Sequence, residues 1–207
     1  MEYLVTMTTH VPEGTSDEAV ADMRAREAAR SRELAAQGHL VRLWRPPLRP
    51  GEWRSIGLFA ADDDAELEQV LASMPLRAWR TDQVTPLSPH PNDPVVPGVS
   101  GVPGLCGEFL ATFAIAVPEG VSEEVVAEAF AGEARRAAEL AEQGHLLRLW
   151  RLPAGSGSGG ADAAGLWRAG DATEMQAILA SLPLDEWMVV ETTPLTPHPS
   201  DPARPRM

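Results

Sequence analysis

Two glutamates stand where apolar residues belong. Counting in sevens from Val20 reaches Glu27 and then Leu34, and Met23 lies on the same stripe. Glu27 therefore falls on the line that an amphipathic helix turns toward its core. In the second half of the chain the same count gives Val126, Glu133 and Leu140, with Ala129 and Ala137 flanking the acid. An ionised carboxylate facing a sheet is costly unless it is paired. Such a group is either half of a structural ion pair, with Arg45 a candidate partner, or a proton-transfer group whose pKa burial raises.

The remaining chemistry-bearing residues narrow the field. All 17 basic residues are arginine, so a lysine Schiff base and lysine-held pyridoxal phosphate are excluded. His10, His39, His90, His145 and His198 have no metal-ligand spacing, and no metal is expected. Gly155-x-Gly157-x-x-Gly160 matches a dinucleotide fingerprint formally, but it lies between two strands and opens no helix; it reads as a flexible hairpin loop. His39 and His145 follow a helix cap, where a histidine either steadies the helix C-terminus or faces a pocket. Trp44 and Trp150 read as core or pocket wall. The lone Cys106, among Pro and Gly, excludes an internal disulfide. A net charge of -13 repels phosphate backbones and anionic membrane surfaces, so neither nucleic acid nor membrane is an expected partner despite six tryptophans. No signal-peptide pattern or membrane-spanning apolar run is present, and the expected location is cytoplasmic.

The elements that must position these residues are written twice. Glu33 to Arg45 and Glu139 to Arg151 differ at only Ala36/Glu142 and Val41/Leu147; Leu71-Ala72-Ser73-Met74-Pro75-Leu76 matches Leu179-Ala180-Ser181-Leu182-Pro183-Leu184, and Thr85 to Pro91 matches Thr193 to Pro199. Each copy reads as strand (Tyr3 to Val11; Phe109 to Val117), long helix (17 to 37; 123 to 143), two strands (His39 to Arg45 and Arg54 to Ala60; His145 to Leu152 and Ala163 to Arg168), short helix, and last strand (80 to 85; 188 to 193) before a Pro-rich tail. Ser16 and Ser122 are N-caps, and Gly38 and Gly144 stand where C-terminal caps belong. The order βαββαβ is ferredoxin-like, with helices on one face of an antiparallel sheet. The predicted fold is α+β, two such modules at 1–91 and 108–207 joined by a Pro/Gly-rich linker at 92–107 and packed as an intrachain pseudo-dimeric α+β barrel, with further homo-oligomers open.

Met7-Thr8, Pro12, Glu27, Gly38, Leu43-Trp44-Arg45, Phe59, Pro75-Leu76, Val84, Leu87 and His90-Pro91 occur in an order that resembles the muconolactone delta-isomerase family. The resemblance covers nearly all of residues 1 to 91 and again about 107 to 199. It implies a cofactor-independent shift of a double bond in an unsaturated lactone, a small-molecule substrate, and catalysis by Glu27 and Glu133. Substrate binding would fall to Trp44, Arg45, His39 and His90, and in the second copy to Trp150, Arg151, His145 and His198. Arg45 and Arg151, if inward, suit a substrate carboxylate or lactone oxygen. Two departures stand out: Arg42 and Arg148 replace a family histidine, and Phe113-Ala114 replaces Met7-Thr8. The competing readings are a cyclase or cofactor-free oxygenase acting on an aromatic or polyketide-like substrate, and a non-catalytic small-molecule-binding barrel with ion-paired glutamates.

Overall fold

The computed structural model describes residues 1–94, 107–153 and 162–204. Cys106, most of the linker and the stretch 154–161 lie outside them. The chain forms two compact units that cut across the sequence repeat: Met1–Leu87 with Thr196–Met207 is unit 1, and Ser88–Leu195 is unit 2.

Unit 1 holds β1 (Glu2–Thr9), α1 (Asp17–Ala36), β2 (Leu40–Arg45), β3 (Arg54–Ala60), α2 (Asp64–Ala72) and most of β4 (Arg80–Pro89). Unit 2 repeats this with β5 (Gly107–Ile115), α3 (Glu123–Glu142), β6 (Leu146–Arg151), β7 (Ala163–Ala169), α4 (Ala172–Ala180) and most of β8 (Met188–Pro197). All strand pairs are antiparallel. β1 lies between β3 and β4, with Tyr3 opposite both Phe59 and Pro86; β5 lies between β7 and β8, with Phe109 opposite Trp167 and Pro194. Among the described residues no helix is long and apolar enough to cross a membrane.

Local sequence explains the elements. Tyr3, Val5 and Met7 alternate with less buried residues along β1 and join Leu34, Phe59 and Leu71 in the unit 1 core. Ser16 accepts from the Ala19 N–H and Ser122 from the Val125 N–H, satisfying first-turn donors of α1 and α3. Both long helices end in the same hydrogen-bonded turn. Gly38, at φ +83°, donates to Ala35 O and His39 to Leu34 O; Gly144, at φ +80°, donates to Ala141 O and His145 to Leu140 O. Gly57 is required for a different reason, because a Cβ there would lie 2.4 Å from the Phe59 ring that crosses it; Gly165 stands in the same relation to Trp167.

Some expected boundaries shift. β1 stops at Thr9, two residues short of Val11, which is exposed. The last strands run on into the segments expected as Pro-rich tails, β4 to Pro89 and β8 to Pro197. A proline is accepted in a strand where its nitrogen is not asked to donate, so Pro86 and Pro194 do not end the ladder. Beyond them Ser88 and Pro89 pair with Arg151 and Trp150, while Thr196 and Pro197 pair with Arg45 and Trp44. This exchange of chain ends puts the 196–204 segment in unit 1 and the 88–94 segment in unit 2.

Candidate active site

In unit 1, α1, the strand face beneath it and the chain end enclose a cavity of about 510 Å³ lined by Met7, Thr9, Arg24, Glu27, Ser31, Leu43, Arg45, Trp53, Leu76, Arg80 and His198, among others. Glu27 projects from the middle of α1. Its Oε2 accepts the Leu76 N–H at 2.8 Å and its Oε1 the Arg80 Nη1–H at 3.0 Å. The Leu76 amide is free to donate because it opens a short 3-10 turn, Pro75–Trp79, where the preceding proline has broken the helical pattern. Arg80 is itself divided, since its Nε donates to Asp82 Oδ1 at 2.7 Å, and Asp82 also pairs with Arg77. Burial raises the Glu27 pKa above its ordinary value; the Leu76 amide and Arg80 oppose the shift without cancelling it, and Asp82 adds to it.

Arg45 and His198 stand together at the cavity, Arg45 Nη2 lying 3.5 Å from His198 Nε2. The Ser200 N–H donates to His198 Nδ1 at 3.1 Å, so in the neutral ring the proton sits on Nε2. Burial first, then Arg45 and Arg204, lower the His198 pKa to about 4, and the imidazole is neutral at ordinary pH. Arg24 stacks on Trp53 at 4.4 Å. Neither Arg24 nor Arg45 has a carboxylate partner among the described residues.

The chain end is locked in place by a buried clamp. Asp201 accepts from Arg42 Nη2 at 3.1 Å and from the Leu43 N–H at 3.1 Å, and the His198 N–H donates to Leu43 O at 2.9 Å. Unit 2 repeats the clamp with Asp93, Arg148 and the Leu149 N–H.

Several expected site residues sit elsewhere. The module 1 histidine, His90, lines the unit 2 cavity, and the module 2 histidine, His198, lines that of unit 1. Trp44 pairs with Ile56, on the sheet face opposite the one that carries Leu43 and Arg45, and the Arg42 guanidinium lies over its ring at 4.7 Å; Arg148 covers Trp150 at 4.9 Å. His39 and His145 do not line the cavities: their Nδ1 atoms lie 3.0 Å from Ala60 O and Arg168 O, where each ring ties the helix end to the neighbouring strand. Arg45 is not the ion-pair partner of Glu27; Arg80 is.

Unit 2 keeps the glutamate and loses its polar surroundings. Its cavity is about 60 Å³, and Arg24, Ser31, Thr9, Met7 and Arg80 are replaced by Phe130, Ala137, Ile115, Phe113 and Met188. Among the described residues Glu133 accepts only the Leu184 N–H, at 3.1 Å. Its pKa is raised by burial, with Asp185 adding to the shift and the Leu184 amide opposing it. Arg151 holds the His90 pKa down after burial has lowered it.

Arg24, Ser31, Arg80 and Asp201 were not singled out in the sequence, though two signals were there. Arg24 and Ser31 lie three before and four after Glu27, on the same helical face. The repeated tail extends as His90-Pro91-Asn92-Asp93 and His198-Pro199-Ser200-Asp201, with an acid three residues beyond each histidine.

A sequence model described as muconolactone delta-isomerase matches residues 1–93 and again 108–201. Muconolactone Delta-isomerase 1 of Acinetobacter lwoffii is 32% identical over 92 residues, covering 44% of this chain and 93% of the relative. The enzyme of Cupriavidus pinatubonensis is 32% identical over 92 residues, 44% of this chain and 97% of the relative. Among solved structures, chlorite dismutase from Candidatus Nitrospira defluvii in complex with imidazole aligns with a TM-score of 0.59 at 10% identity, covering 95% of this chain and 91% of that one. A heme-binding protein from Thermus thermophilus aligns at 0.56 and 12%, covering 94% and 92%. At these identities the structural likeness speaks for the fold alone.

Proposed function

The chain belongs to the muconolactone delta-isomerase family, and from that premise we propose that it moves a carbon–carbon double bond in an unsaturated lactone or related cyclic carbonyl compound by carrying a proton, without a cofactor and with the chemistry in unit 1. The observation that carries this reading is Glu27, a carboxylate of raised pKa on the wall of a cavity that also presents two arginines, Arg24 and Arg45, without acidic partners among the described residues. Two of its lone pairs are used by Leu76 and Arg80, which leaves acceptor capacity for a substrate proton.

In muconolactone, whose ring double bond is conjugated with the carbonyl, Glu27 takes a proton from the far carbon of the conjugated system, and the C–H electron pair becomes a double bond as the carbonyl pair moves onto oxygen. The protonated Glu27 then returns the proton to the carbon next to the carbonyl, and the carbonyl re-forms. Nothing is oxidised and no atom is lost. His198 Nε2–H and the Arg45 guanidinium are both donors, 3.5 Å apart, so an oxygen acceptor from a ligand relieves their juxtaposition. A substrate carboxylate fits there.

The Glu27–Arg80 pair also supports the ion-paired, non-catalytic reading. Against it, Arg80 is shared with Asp82, and burial outweighs both hydrogen bonds in setting the Glu27 pKa. The heme of the Thermus thermophilus neighbour does not fit these residues. Among the described residues the one imidazole lining the unit 1 cavity has its Nε2 against Arg45, and about 60 Å³ in unit 2 is far too small for a porphyrin. Two ferredoxin-like βαββαβ modules in one chain belong to the same proposal, supported by neighbours that align over about 95% of the chain.

The test is incubation with muconolactone in deuterated water, followed by NMR. Isomerisation with deuterium incorporation, in the absence of any added cofactor, is expected of the whole chain. Absence of both exchange and isomerisation would overturn the reading.

A further inference from the structure

Ser31 is 1% exposed in the middle of α1, lines the unit 1 cavity, and its hydroxyl bonds to no described residue. Buried helical serines ordinarily bond backward to their own helix. Even Ser73 and Ser181, the exposed C-cap residues of α2 and α4, do this at 2.6 Å to Val70 O and Ile178 O. Thr9, 9% exposed on β1, lines the same cavity with its hydroxyl likewise unengaged. A hydroxyl that faces a cavity and bonds to no protein group keeps its donor for an acceptor that arrives with a ligand.

Unit 2 supplies the internal control. At the corresponding positions it carries Ala137 and Ile115, and α3 and β5 form as α1 and β1 do. The fold therefore does not need either hydroxyl. They are present only in the unit whose cavity is large and polar.

We propose that the Ser31 hydroxyl, with Thr9 on the same wall, donates a hydrogen bond to the substrate oxygen that gains negative charge when Glu27 removes the proton. Ser31 follows Glu27 by one helical turn, which sets the two Cβ atoms about 5–6 Å apart. A carboxyl that returns a proton to the carbon next to the carbonyl stands about 3 Å from it, and the enolate oxygen is two bonds further on, so a donor one turn away is placed to meet that oxygen. The neighbouring cations have other work: Arg80 is divided between Glu27 and Asp82, and Arg45 faces His198. A neutral hydroxyl strengthens its bond as charge develops and relaxes as the carbonyl re-forms.

This assignment rests on the isomerase reading for its chemistry, and its test separates the two. The probe is 4-nitrophenolate, a planar anion whose charge is spread between oxygen and ring as in an enolate, titrated by its visible absorbance against the full chain. Ser31→Ala should weaken binding about tenfold or more, the loss expected for a hydrogen bond to a charged oxygen. Thr9→Val should weaken it less, and Ser31→Thr should restore it. With muconolactone, Ser31→Ala should lower kcat by tenfold or more with little change in KM or Tm. If Ser31→Ala binds the phenolate as the parent chain does, or if the parent chain does not bind it, the oxyanion site is wrong whatever the turnover. If binding falls as expected while the parent chain shows no isomerisation, the oxyanion site stands and the isomerase reading falls.

Discussion

A glutamine at position 27 would keep the shape of the side chain and an acceptor for the Leu76 N–H, but it cannot hold a proton in transit. Glu27→Gln should fold and lose about a hundredfold or more of the turnover, the scale of a positioned general base. The pKa shift fixes the sign of the stability change. A carboxyl raised by burial contributes stability below its ordinary value of 4.5 and loses it as pH rises through the raised value. Above that raised value the parent chain carries the cost of an ionised, largely buried group, and Glu27→Gln should show no fall in Tm there. A clear fall would mark Glu27 as structural. In the parent chain, activity should climb as pH rises through the same value, because the base must be deprotonated.

His198 behaves in the opposite sense. Its folded pKa is lowered from 6.5 to about 4, so its contribution to stability is complete above pH 6.5 and disappears as pH falls toward 4. An NMR titration should place its midpoint near 4, and His198→Asn should flatten the loss of stability between those limits. A midpoint near 6.5 would mean that the ring is not buried against Arg45. Glu27 was legible from heptad arithmetic because an acid on an apolar line is conspicuous. Ser31 was legible only through Glu27, four residues earlier on the same helical face, since a serine by itself carries no sign of burial.

At the scale of elements, the repeat is a natural substitution experiment. The end of the short 3-10 turn and the start of the last strand carry Arg80 and Asp82 in one copy and Met188 and Val190 in the other. In unit 1 these are an ion pair with side chains 2% and 1% exposed. Removing one partner of such a pair leaves an uncompensated charge, and Arg80→Met should cost about 3–5 kcal/mol, read from denaturant unfolding. Replacing both, Arg80→Met with Asp82→Val, should recover part of that cost because the second copy packs these residues in the same fold. Equal or greater loss in the double variant would show that Glu27 and Arg77, not Asp82, carry the penalty. Helix caps, the twin glycine turns and the strand order were readable because each depends on local residues. The ends of β4 and β8 were not, because proline reads as a strand breaker unless its partner strand is known.

At the scale of the whole molecule, the sequence repeat and the compact units divide the chain differently. Composition and repeats gave two modules ending at their own tails. The clamps Arg42–Asp201 and Arg148–Asp93 tie each tail into the unit built from the other module, and no local pattern records a partner more than fifty residues away. A fragment of residues 1–94 lacks the segment that brings Asp201 against Arg42, the His198 N–H against Leu43 O, and the imidazole into the cavity. Breaking the Arg42 pair alone costs about 3–5 kcal/mol, a large share of the roughly 5–15 kcal/mol that holds a domain together. The fragment should therefore be unstable and inactive by itself, and addition of residues 107–207 in equal amount should restore both Tm and turnover. Its own Asp93 is the one residue that offers an escape, since it repeats Asp201 and folding back would place His90 where His198 belongs. If residues 1–94 are stable and turn over alone, the exchanged tails are dispensable and His90 takes the place assigned to His198.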